Sequence, residues 1–199
     1  VRIGIVLAGS AIVAVLGSMV GLLLGQSSTA KNVLLDSIMN AVTAIPPVAY
    51  LIIFIGIWGN SIPTMMVSLT ASLILRMIKL VKTRTEMEMG KAYIMCAVSS
   101  GASRFRILLG HVLPNIGKEI VRFLCLSCAE MIMAISGFSF IGLTLGDDVI
   151  DWGSMLSSAR GYLGMAPMLL FYPILFIFLS TLSFNILGKK LEKEDRADA

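Results

Sequence analysis

The chain is short of charge. Only 14% of its 199 residues are Asp, Glu, Lys or Arg, while 57% are hydrophobic and the mean hydropathy is +0.90. Soluble domains carry about a quarter charged residues, so a water-soluble fold is excluded and an integral membrane protein remains. Histidine occurs once, at His111, which rules out a histidine-based metal cluster. The three cysteines, Cys96, Cys125 and Cys128, make no disulfide framework. Cys125 and Cys128 have the spacing of a redox pair but lie in an apolar run, where cysteine behaves as a small hydrophobe. There is no phosphate-binding Gly-x-x-x-x-Gly-Lys-Ser/Thr loop, because Gly117-Lys118-Glu119 lacks both the upstream glycine and the hydroxyl. The chain cannot bind ATP by that means; if hydrolysis drives it, the nucleotide site belongs to another polypeptide, and no cofactor is expected on this one. A membrane-embedded enzyme is disfavoured, since neither a Ser/His/Asp nor a metal constellation is available.

What the chain has in quantity is long apolar runs. About 20 residues cross the ~30 Å hydrocarbon layer, and five stretches qualify as spans, at about 3–25, 38–58, 62–81, 123–146 and 165–188. In the first, Gly17, Gly21 and Gly25 fall four apart. On a helix they form one smooth stripe for close helix approach, or they reflect the ordinary glycine enrichment of membrane helices. The second is interrupted by Pro46 and Pro47, which must kink it. Such a break either lines a substrate path or is purely structural. Val1 is not an initiator methionine, and no small-residue cleavage site follows the first run, which reads as a span and not as a signal peptide.

The net charge of +4 does not point to nucleic acid, because the basic residues collect beside the apolar spans. Nine of the sixteen Lys and Arg fall between Arg76 and Arg122, and four more follow the last span. The positive-inside rule makes both regions cytoplasmic and leaves 147–164 outside.

The central hydrophilic stretch, 82–122, cannot sit in a bilayer. Tyr93, Ile94, Ala97 and Val98 share one face of a predicted helix. Gly101 permits a bend, Ser103 can cap a second short helix carrying Arg104 and Arg106, and Pro114 is expected to end the segment before the next span.

Tyr93-Ile94, Cys96-Ala97, Gly101-Ala102-Ser103, Arg106-Ile107, His111 and Leu113-Pro114-Asn115 together resemble the signature loop of ABC importer permeases of the dipeptide, oligopeptide and nickel group. Further stretches, Phe138 to Leu143, Asp151 to Leu156 and Ser183 to Gly188, are similar to the same family, so the resemblance covers nearly the whole chain. It departs where the family's Glu-Ala-Ala is replaced by Met95-Cys96-Ala97, at Gly146 to Ile150, and in the tail after Leu191.

The resemblance implies an all-α transmembrane type I importer permease, one domain over 1–199, with five of the family's six spans. Its coupling helix, here Cys96, Ala97, Gly101, Ala102, Ser103 and Arg106 with Pro114 behind them, docks on an ATPase subunit. It further implies a second permease, two ATPase subunits, an external solute-binding protein delivering a peptide or a nickel chelate, and a place in the cytoplasmic membrane. The competing class is an ATPase-independent secondary transporter or channel. Such carriers usually need several intramembrane charges, and this chain offers essentially Glu130. Glu130 either lines the path, with Pro46 and Pro47, or pairs with a basic residue of a partner helix. Outside, Asp147, Asp148, Asp151 and Trp152 belong to a segment expected to form a short helix over 152–162 that meets the binding protein.

Overall fold

The computed structural model describes residues 2–26, 33–143 and 150–197, and among them every regular element is helical. The helices are α1 (Arg2–Gly25), α2 (Val33–Ala44), α3 (Pro47–Trp58), α4 (Ile62–Met89), α5 (Ala92–Ser99), α6 (Arg104–Ile107), α7 (Leu113–Phe140), α8 (Trp152–Ala159) and α9 (Met168–Ala197). A π-helical turn, Leu108–Val112, joins α6 to α7, and a 3-10 turn, Arg160–Tyr162, follows α8.

Four helices are long and apolar enough to cross a membrane, and the pair α2 and α3, bent by 81°, makes a fifth if it counts as one span. Packing decides that it does. Gly17, Gly21 and Gly25 of α1 face Met77, Val81 and Thr85 of α4 in that order, so α1 and α4 run parallel. Two consecutive parallel spans need a return crossing between them, and only α2 with α3 can supply it. The glycine stripe is therefore a packing device: a Cβ on Gly17, Gly21 or Gly25 would lie 2.5, 2.6 or 2.6 Å from the facing side chain.

The bend at Pro46-Pro47 follows from two missing donors, which free backbone carbonyls at the end of α2. One of them, at Val42, accepts from the Tyr50 hydroxyl at 2.9 Å and from the Ile45 amide. Below the bend, α2 is tied to α4 by the buried Lys82, whose Nζ lies 2.6 Å from Asp36 and 2.7 Å from Glu86.

Helix α4 runs on to Met89, beyond the expected 81, and both ends of the fourth span differ from expectation. Pro114 does not end the cytoplasmic segment: Arg104–Phe140 is one helical run of 37 residues. A proline crowds the carbonyl four residues back, here that of Gly110. The π turn widens the helix at that point, with the Leu113 amide donating to the carbonyl of Leu108, and the chain passes through. At its far end α7 stops at Phe140, short of 146. Gly142 takes φ +93, and the amides of Gly142 and Leu143 donate to the carbonyls of Ser139 and Phe138, a Schellman stop that needs the left-handed residue glycine provides.

Antiparallel contacts complete the order. Arg76 meets Glu130 and Arg84 meets Glu119, so α7 runs back against α4, while Gly188 of α9 packs on Leu126 of α7. The ends of α1, α4 and α9 thus share one side with α5 and α6, and α8 lies on the other.

Candidate functional site

Three features stand out where chain and membrane surface meet: the helix-bend-helix on the basic side, the groove beside it, and the cap on the opposite side.

In the helix-bend-helix, α5 ends in a second Schellman stop. The Gly101 and Ala102 amides donate to the carbonyls of Val98 and Ala97, and Gly101 has φ +78. Ser103 then caps α6 by accepting from the Arg106 amide at 3.4 Å. The bend and the cap both stand where single residues of the sequence place them. Ile94, Ile107 and Leu108 are buried and Ala97 and Ala102 pack partly against the core, which anchors the unit. Val98, which helical spacing puts on one face with Tyr93, Ile94 and Ala97, is 55% exposed, and Met95 (60%) and Phe105 (69%) are exposed apolar side chains as well. Cys96, Gly101, Ser103, Arg106 and Pro114 are also exposed.

A polar clasp holds α5 to its neighbours. Glu88, near the end of α4, accepts from Lys91 Nζ and from the Tyr93 hydroxyl, and Asn115 Nδ2 of α7 donates to that hydroxyl at 2.8 Å. Burial and the bond to Glu88 push the Tyr93 phenol up, so it remains a protonated donor at neutral pH. The hydrogen bond to Glu88 raises the Lys91 ammonium as well. His111 meets the Tyr93 ring edge-on, a structural contact. Tyr93 is 5 residues from Glu88 and 22 from Asn115, and no local spacing announces either partner.

The groove lies between α2, α4 and α7, with a volume of about 630 Å³, lined by Thr43, Arg76, Lys79, Thr83, Arg84 and Phe123 among others. Glu130 meets Arg76 here, its carboxylate oxygens 2.9 and 3.2 Å from Arg76 Nη1. The partner is within the chain, one helix away. Arg84 Nε reaches Glu119, and Lys79 Nζ donates to Thr43 Oγ1 at 3.3 Å, just below the break at Pro46 and Pro47.

On the opposite side, Asp151 is not a surface acid. It is only 7% exposed, accepts from the Ser139 hydroxyl, and caps α8 in a reciprocal box with Ser154. Trp152 stacks on Phe176 of α9 at 6.0 Å with the planes 11° apart. The two residues hold α8 in place, and they are not an exposed docking patch. Asp147 and Asp148 lie outside the described residues. Gly153 joins the site without having been singled out by the sequence: any side chain there would run into the Ser136 carbonyl of α7. The only signal for it is a glycine inside an Asp-x-x-Ser capping box.

Among the described residues, no group of three or more His, Cys, Asp or Glu side chains gathers as a metal site. The binding-protein-dependent transport system inner membrane component family matches residues 5–193. The chain belongs to this family. Members are transport components of the membrane, not enzymes. The glutathione transport system permease protein GsiD of Pectobacterium atrosepticum is 31% identical over 176 residues, 88% of this chain and 58% of that protein. The GsiD protein of Shigella sonnei is 32% identical over 158 residues, 79% of this chain and 52% of its own length. The chain therefore spans about half the length of these curated relatives. The inward-facing MetNI methionine ABC transporter matches in fold with a TM-score of 0.72 at 15% identity, over 97% of this chain and 94% of that one. The architecture is that of a type I ABC importer permease.

Proposed function

We propose that this chain is a membrane-spanning permease subunit of an ATP-driven importer in the cytoplasmic membrane. It works with a second permease, two ATPase subunits that hold ATP and magnesium, and an external binding protein. The cargo is a peptide, a reading supported by the glutathione systems named among its relatives, which favour it over a nickel chelate.

The observation that carries the proposal is the uninterrupted helical run from Arg104 to Phe140. At 1.5 Å per residue it is about 55 Å long. One end bears the exposed Phe105 beside Met95 and Val98, a knob suited to a groove on an ATPase; the other holds α8 at the outer mouth through Ser139 and Gly153. A push on the knob reaches the outside through one rigid element. The clasp of Glu88, Lys91, Tyr93 and Asn115 makes α4 move with it. An ATPase-independent carrier is disfavoured because the one acid deep in a span, Glu130, is already matched by Arg76.

Gly101→Leu tests the reading. The site has open space but a φ of +78, so the substitution strains the bend and leaves every span unaltered. Insertion into the membrane should be normal, and binding-protein-stimulated, ATP-dependent uptake by the reconstituted importer should be lost. Normal uptake by this variant would sink the coupling role.

A further inference from the structure

The groove between α2, α4 and α7 has a charge imbalance that the architecture alone does not require. Three cations line it, Arg76, Lys79 and Arg84. Arg76 is matched by Glu130 and Arg84 by Glu119. Lys79 has only a neutral partner among the described residues, the Thr43 hydroxyl. Among the described residues, one positive charge of the groove is left without a counter-charge.

Its position makes this unusual. Arg76 and Lys79 lie 14 and 17 residues past Ile62, where α4 begins. At 1.5 Å per residue they sit about 21 and 25 Å from the start of α4, within the candidate span Pro63–Met89 and toward its cytoplasmic end. Cations within a span face protein, a water-filled cavity or the nearby interface, and those that face a cavity commonly mark a substrate path. The surroundings agree. The face of α4 bearing Met77, Val81 and Thr85 is closed by the α1 glycines, and Gly188 of α9 closes part of α7. The open side of the α4 and α7 pair is the groove, and it abuts the break between α2 and α3.

We propose that this groove receives an anionic carboxylate of the cargo on its way to the cytoplasm, with Lys79 as the residue that binds it and the Thr83 hydroxyl at hand as a neutral donor. The inference rests on the importer reading above and narrows it to peptides with a free carboxylate. The groove is roomy enough for a small peptide, and its wall carries apolar as well as cationic groups, through Leu80, Met87 and Phe123.

The test is uptake by the complete importer in vesicles, with trialanine and trialanine amide as the two probes and one binding protein throughout. Because the binding protein is constant, a change in the acid-to-amide ratio between permeases originates in the permease. Wild type should favour the acid, Lys79→Gln should lower the ratio about tenfold, and Lys79→Arg should retain most of it. The ratio is insensitive to how much variant importer assembles. An active Lys79→Gln importer with the wild-type ratio overturns the inference and leaves the importer reading standing. No ATP-dependent uptake of either probe by wild type overturns both. Vesicles of phosphatidylcholine alone, and with phosphatidylglycerol added, provide the second arm. A Lys79→Gln effect that is the same in both supports cargo binding, whereas an effect present only with phosphatidylglycerol assigns the charge to a lipid headgroup and overturns it.

Discussion

Gly21 of α1 lies so close to Val81 of α4 that a Cβ on the glycine would stand 2.6 Å from the valine Cβ and 3.0 Å from the Ile78 carbonyl oxygen. The parallel arrangement of the two helices, and with it the five-span count, depends on this contact and its repeats at Gly17 and Gly25. Gly21→Ala should overpack the seam and cost about 1–3 kcal/mol. Thermal unfolding of the purified protein should report a lower midpoint. Gly56→Ala, which meets nothing within 4 Å, should be near neutral. Equal losses for Gly21 and Gly56 would refute the seam.

Glu130 and Arg76 test whether the intramembrane pair acts as a unit. Each side chain is about a third or more exposed, which screens the attraction. Removing one charge still leaves the other unmatched in the groove. Arg76→Gln or Glu130→Gln alone should lower stability by about 1–2 kcal/mol, and the double variant by less than the sum. Strict additivity in the cycle would show that the pair is not coupled.

Asp151 separates capping from docking. Asp151→Ala removes the N-cap of α8 and the acceptor for Ser139, so it should cost about 1–2 kcal/mol and loosen α8, seen as faster amide exchange over 152–159. Charge reversal at Asp147 and Asp148, combined, should weaken binding-protein stimulation of ATPase activity without that loosening. If Asp151→Ala left α8 exchange unchanged, the capping role would be wrong.

Much of this protein is legible in its amino-acid order. Hydropathy alone marks the spans, because lipid forces each backbone segment to satisfy its own hydrogen bonds and so to be an apolar helix about 20 residues long. The bend at Gly101, the cap at Ser103 and the short helix after Asp151 are local backbone chemistry, written in single residues and short spacings. Pro114 departs from its expected role for a physical reason: a proline stops a helix only when nothing upstream can widen, and the π turn at Leu108–Val112 is a compensation that no propensity encodes.

Partnership is beyond the sequence. Glu130 is conspicuous as an intramembrane acid, but its mate, Arg76, is 54 residues away, and only the antiparallel packing of α4 and α7 joins them. Asp151 reads as a surface acid because an aspartate in an external segment ordinarily is one; the close approach that Gly153 allows turns it inward. The glycines of α1 are equally compatible with chance enrichment and with a seam, and the register with Met77, Val81 and Thr85 chooses between them. Composition and periodicity set which segments are helical and which enter the membrane, since those depend on each segment's own groups. Which charge meets which, and which face stays open, depends on groups distant in the chain, and only tertiary packing brings them together.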